Sequence, residues 1–204
     1  MQGVQTIGNA TLIAYDDTPV LSTDPWMGGD HYAYFGSWYL PYEIPNNIRE
    51  DIIKSKYIWF SHGHPDHINH DSLNLFKNNQ ILVSEHFGSR IYKDLKAENF
   101  NISILKDREW TNLSKNISVM SISTKTQDSI LLLRSNNDIF INLNDAGLNS
   151  SKFIKKIISK FKRKFLLSIS SFEADMLNFF DQDNNFIKPA IANKFSAGEY
   201  LSML

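Results

Sequence analysis

At 204 residues, with 42% hydrophobic and 21% charged side chains, the chain carries enough apolar material for one substantial core, expected as a single domain over residues 1–204. A formal net charge of −1 gives no general pull toward nucleic acid, membrane or acidic ligands, so neither of the first two is an expected partner. The absence of cysteine removes disulfides, thiolate metal ligands, cysteine nucleophiles and cysteine-held iron–sulfur clusters, which leaves nitrogen and oxygen to hold any metal.

Along the chain, Val4–Ile7, Thr11–Tyr15 and Val20–Thr23 are β-rich runs separated by Gly8-Asn9 and by Asp16-Asp17-Thr18-Pro19, a pattern that predicts a meander. The loop Asp24–Pro45 (DPWMGGDHYAYFGSWYLPYEIP) is too rich in glycine and proline for a regular helix. A helix is expected from Pro45 to about Ser55, and the apolar run Tyr57–Phe60 reads as a buried strand. Asp71-Ser72 can cap a short helix to about Lys77, Ile81–Val83 reads as a strand, and Phe87–Lys96 as a helix. Ile102–Leu105, Ile117–Ile122, Ile130–Arg134 and Asp138–Leu143 predict a second sheet, with Asn136-Asn137 turning its last hairpin. A helix capped at Asn149-Ser150-Ser151 should run to about Lys164, before a late strand Phe165–Ile169. Two packed sheets with helices outside satisfy this order, an α/β arrangement of the α+β type. The start of the chain shows no basic-then-apolar leader, and nowhere is there an apolar run of about 20 residues, so a cytoplasmic location is expected.

The chemistry concentrates in YIWFSHGHPDHINHDSL, Tyr57 to Leu73, which holds His62, His64, His67 and His70. On an extended segment His62 and His64 point the same way, and Gly63 and Pro65 let the chain turn so that Asp66 and His67 return toward the same centre. Imidazole and carboxylate are the ligands expected for zinc, iron or manganese.

SHGHPDH after an apolar strand resembles the signature of the metallo-β-lactamase superfamily, whose αββα sandwich carries metals at one edge. That resemblance implies two divalent metal ions, zinc first and iron or manganese next. His62 and His64 would serve one ion and Asp66 and His67 the other, with Asp145 of INLNDAGL linking them. TDPWMGGDHYAYFGSW, SHGHPDHINHDSL and NLND together resemble the group containing CMP-sialic-acid hydroxylase and, more distantly, the ascorbate-phosphate lactonases. By that likeness Asp24 would support the ligands, while Trp26, His31, Tyr34 and Trp38 line the entrance for a small-molecule substrate.

Two departures bear on function. The family places a histidine where this chain has SISTKTQDSILLL: Asp128 could replace it as an oxygen ligand, or Lys125 could set an ammonium there and oppose a metal. No histidine follows His86, although many relatives supply a late one. Three functions stay open. The first is a metal-dependent hydrolase using a metal-bound hydroxide on an ester, lactone, amide or phosphodiester, with Asp66 as the catalytic group that orients the nucleophile or takes its proton. The second is a non-haem iron oxygenase acting on a sugar nucleotide or similar molecule, with a separate electron donor. The third is a degenerate binding or assembly protein holding one ion or none.

Overall fold

The computed structural model describes residues 1–146 and 151–168, together with the short antiparallel pair Phe179–Phe180 and Phe186–Ile187. Strands β1 (Gln2–Gly8), β2 (Thr11–Asp16) and β3 (Thr18–Thr23) form the expected antiparallel meander. After α1 (Asn46–Lys54), strands β4 (Tyr57–Phe60), β5 (Gln80–Ser84) and β6 (Ile102–Leu105) join parallel to β3, giving a six-stranded sheet in chain order. Between them lie α2 (His70–Leu73) and α3 (Arg90–Ala97).

The second sheet holds β7 (Trp110–Asn112), β8 (Ile117–Ser123), β9 (Ser129–Ser135) and β10 (Asp138–Asn144), with β11 (Arg163–Ser168) added parallel to β10 after α4 (Ser151–Ile158). Asn136, in the left-handed region at φ 53°, turns the two-residue β9–β10 hairpin.

Alternation along the strands generates the layers. In β4, Ile58 and Phe60 face α1 and α3 beside Ile52 and Leu95, while Trp59 between them points to the other sheet, against Leu82, Val119 and Leu131. The second sheet repeats the device: Leu131 and Leu133 face inward, and Ile130 and Leu132 face Ile154 and Ile158 of α4. Strands β4 and β9 therefore each feed two cores, and each large side chain so buried contributes about 1.5–3 kcal/mol. The layers run helix, sheet, sheet, helix.

Five features differ from the sequence reading. Strand β6 belongs to the first sheet, because the α3 crossover returns the chain parallel to β5, and β7 takes a place in the second sheet that composition did not reveal. Helix α3 starts at Arg90 rather than Phe87, since Gly88 (φ 78°) and Ser89 (φ 49°) break helical geometry and leave Phe87 exposed. The cap of α2 is Asn69, whose Oδ1 accepts from Ser72 N and Ser72 Oγ. Helix α4 stops at Ile158, and Arg163, paired bidentately with Asp138, enters the sheet instead. The expected cap residues Asn149 and Ser150, and Ile169, lie outside the described residues.

Candidate metal centre

The parallel strands β3, β4 and β5 all end at one edge of the sandwich, and their last residues hand the chain to the polar groups there. Asp24 follows β3 directly in the left-handed region (φ 39°), its N–H donating to Trp59 O and its Oδ1 accepting from Ser61 N at 2.8 Å. That bond sets the first residue of the loop leaving β4. His62 comes next, buried, with Nδ1 at 2.9 Å from Ser61 Oγ and Nε2 facing His64 and Asp145. The loop then closes on itself: His67 N and Ile68 N both donate to His64 O, a turn that carries Asp66 and His67 back beside His62. Asp66 is fixed by its own carbonyl, which accepts from Asn9 Nδ2 at 3.2 Å.

Asp145 arrives from the other sheet, immediately after β10. Asn144, left-handed at φ 39°, places it: Asn144 Oδ1 accepts from Asp145 N, and Asn144 Nδ2 donates to Ser129 O. Asp145 Oδ2 thereby lies 3.5 Å from His62 Nε2, 3.9 Å from His64 Nδ1 and 3.3 Å from His67 Nε2. His67 Nε2 is also 3.6 Å from Asp66 Oδ2, and its Nδ1 is 3.2 Å from Asp24 Oδ2. Four of the five ligands named from the sequence motif and its resemblance, His62, His64, His67 and Asp66, thus stand around or beside the fifth, Asp145.

These donors fit divalent ions. Tetrahedral ligands at about 2.1 Å from a metal are about 3.4 Å apart, close to the Asp145 separations from His62 and His67 and to the Asp66–His67 separation. Ligand atoms of His62, His64 and Asp145 all fall within 4.8 Å of one another. His62 Nε2 and His64 Nδ1, 2.7 Å apart, sit as a hydrogen-bonded pair.

Carboxylates of Asp24, Asp66 and Asp145 face His67. Burial disfavours a proton on His67, but the carboxylates of Asp24 and Asp145 outweigh it and push its pKa up to about 10. Burial likewise opposes ionisation of Asp145, yet its contacts with His62 and His67 hold its carboxyl well below the usual range. Asp24 Oδ2, 3.2 Å from His67 Nδ1, shares that nitrogen with Ser61 Oγ at 3.3 Å, a contact of the kind that orients an imidazole.

Asp128 stands elsewhere. Its Oδ1 lies 4.0 Å from His62 Nδ1, on the side of the ring away from Asp145, and its Oδ2 accepts from Thr126. Lys125 is exposed. His86 bonds through Nε2 with Ser129 Oγ and Asp128 O, and burial lowers its pKa.

The aromatic loop divides. Trp26 is buried with Nε1 donating to His31 O, and His31 Nδ1 meets Ser72 Oγ, so these two tie the loop to α2. Tyr34 and Trp38, with ring centroids 4.7 Å apart, lie at the mouth, where Tyr34 donates to Asp66 Oδ1 at 3.0 Å. Trp38, Tyr39, Leu40, Pro41 and Tyr42 line an open groove of about 380 Å³. Asn9, Ser61, Ser72 and Asn144 are supporting residues that sequence reasoning missed. Only the Asn-Asp pair after a β-rich run carried a signal, since asparagine tolerates left-handed geometry.

No protein-family profile matches the chain. Over 107 residues, 50% of its length, it is 27% identical to a cytidine monophosphate-N-acetylneuraminic acid hydroxylase from Asterias rubens, and the match spans 16% of that protein. Among solved structures, CmlA, a diiron beta-hydroxylase from Streptomyces venezuelae, superposes with a TM-score of 0.58 at 16% identity, covering 76% of this chain and 32% of its own. Isothiocyanate hydrolase from Delia radicum gut bacteria gives 0.57 at 16% identity, with coverages of 83% and 72%. Two face-to-face sheets with helices on both outer sides accord with the fold of those neighbours: the fold of this chain is metallo-β-lactamase-like.

Proposed function

We propose that the chain is a cytoplasmic metal-dependent hydrolase acting on a small ester, lactone, amide or phosphodiester, with divalent ions held by His62, His64, Asp66, His67 and Asp145. The observation that carries this reading is the single oxygen Asp145 Oδ2, within 3.3–3.9 Å of three imidazole nitrogens. Ions at these ligands, zinc first and iron or manganese as alternatives, would supply Lewis acidity and lower the pKa of coordinated water to about 7. The protein residues do the rest. Asp66, buried beside the mouth, orients the attacking water or takes its proton, and Asp24 holds the His67 imidazole in place through Nδ1. His64, with 59% of its side chain exposed, marks the open side by which substrate enters, and the groove beside Trp38 and Tyr39 takes its ring or apolar part.

The test is metal content per chain by plasma mass spectrometry, on protein purified without chelator or a metal-binding tag. About two ions per chain, lost in His64→Ala without loss of fold, support the reading; no uptake after incubation with zinc and iron would leave a degenerate binding protein. A second reading, an iron oxygenase acting on a sugar nucleotide, draws on the likeness to the Asterias rubens hydroxylase. Iron as the resident ion, with oxygen consumed only when an electron donor is added, would favour it over hydrolysis.

A further inference from the structure

We propose that Tyr34 is a positioning residue for Asp66: its phenol occupies one carboxylate oxygen, so that Asp66 turns a single oxygen toward the metal centre. This rests on the metal-dependent reading above. Tyr34 and Phe35 are consecutive non-glycine residues in the left-handed region (φ 47° and 58°), followed by Gly36 at φ 89°. Aromatic side chains rarely occupy that region, and here a closed loop holds them. Ala33 and Trp38 exchange backbone hydrogen bonds of 3.0 and 3.2 Å across its base, and Ser37 Oγ donates to Tyr34 O at 2.7 Å.

The consequence of this backbone is a reversal of hydrophobic order. Phe35, the more apolar of the two, stands fully in solvent, while the Tyr34 hydroxyl is turned inward to Asp66 Oδ1. A loop whose task was to close the core would bury Phe35 instead. Trp38 packs on the Tyr34 ring and limits its swing. The backbone of Asp66 is already fixed through Asn9, so the rotation of its carboxylate is the freedom left, and the phenol removes it. Asp66 Oδ2 then remains for His67 and the ion. A carboxylate held this way binds through one oxygen and leaves a coordination position for substrate.

The test is Tyr34→Phe in the full chain, titrated with Co²⁺ against a chelating indicator while the visible spectrum is recorded, with Phe35→Ala as a surface control. In the variant, affinity for the ion held by Asp66 and His67 should fall about 10–100-fold and its absorption band should change. The other ion's affinity and the thermal midpoint should stay as in the parent, and Phe35→Ala should match the parent throughout. Two cobalt ions bound by Tyr34→Phe with parental affinities and spectrum would overturn the role of Tyr34 alone. Loss of both ions together with a lowered midpoint would make Tyr34 a merely structural residue. A parent that takes up no cobalt would remove the metal-dependent reading, and this assignment with it.

Discussion

Asp24 combines three properties that seldom coincide: complete burial, left-handed backbone, and a carboxylate shared between a backbone amide and an imidazole. Ser61 N needs an acceptor and His67 Nδ1 needs an orienting partner, and an amide in place of the carboxylate can satisfy only one of them through oxygen. Asp24→Asn should therefore leave the fold intact while weakening metal retention about 10–100-fold, measured by competition with a chelator. Unchanged affinity would show that His67 is oriented without Asp24. The proposed ligands in His62–His67 are legible as a cluster in the sequence because their geometry is local: six residues, an extended start, a glycine and a proline. Tyr34 was legible only as an aromatic near the entrance. Its hydrogen bond depends on the sign of φ at two residues, which composition does not encode.

Strands and turns show the same division. The meander and β4 could be read from β-rich and apolar runs and the turn residues between them, but the allegiance of β6 could not, since a largely apolar four-residue strand suits either sheet. Helix α4 is shorter than its sequence pattern predicts because its end is decided by Arg163 and Asp138, 25 residues apart in sequence. Another long-range clasp carries a pH prediction. Asp16, at the end of β2, accepts from Ser114 Oγ at 2.6 Å and from both the backbone and side-chain nitrogens of Asn116, linking the first sheet to the β7–β8 turn. The Ser114 bond, then those of Asn116, hold its pKa below the ordinary carboxylate value. A depressed folded pKa contributes stability that is present above the unfolded value, near 3.8, and is lost as pH falls through the folded one. Urea midpoints of the parent should thus decline on acidification below about pH 4 more steeply than those of Asp16→Asn. Parallel profiles for the two proteins would show that the clasp carries no linkage.

The two sheets meet through a layer in which Trp59 is the largest fully buried side chain, flanked by Leu21, Leu82, Val119 and Leu131. Truncation there leaves a cavity that neighbours on two sheets cannot close. Trp59→Ala should cost about 3–5 kcal/mol in denaturant unfolding, and a loss below about 1 kcal/mol would mean that the layer relaxes around the gap. No described helix is long and apolar enough to cross a membrane.

Asp145 is the one proposed ligand that comes from the second sheet; His62, His64, Asp66 and His67 all leave the first. An ion shared among them would act as a rivet through the sandwich, tying the two sheets at the end where strands β4 and β10 stop. Its retention would then report how well the sheets are seated. A mutation deep in the layer between them, far from any histidine, would announce itself as faster metal loss before the chain visibly unfolds, and a bound ion would in turn resist the sheets' first separation.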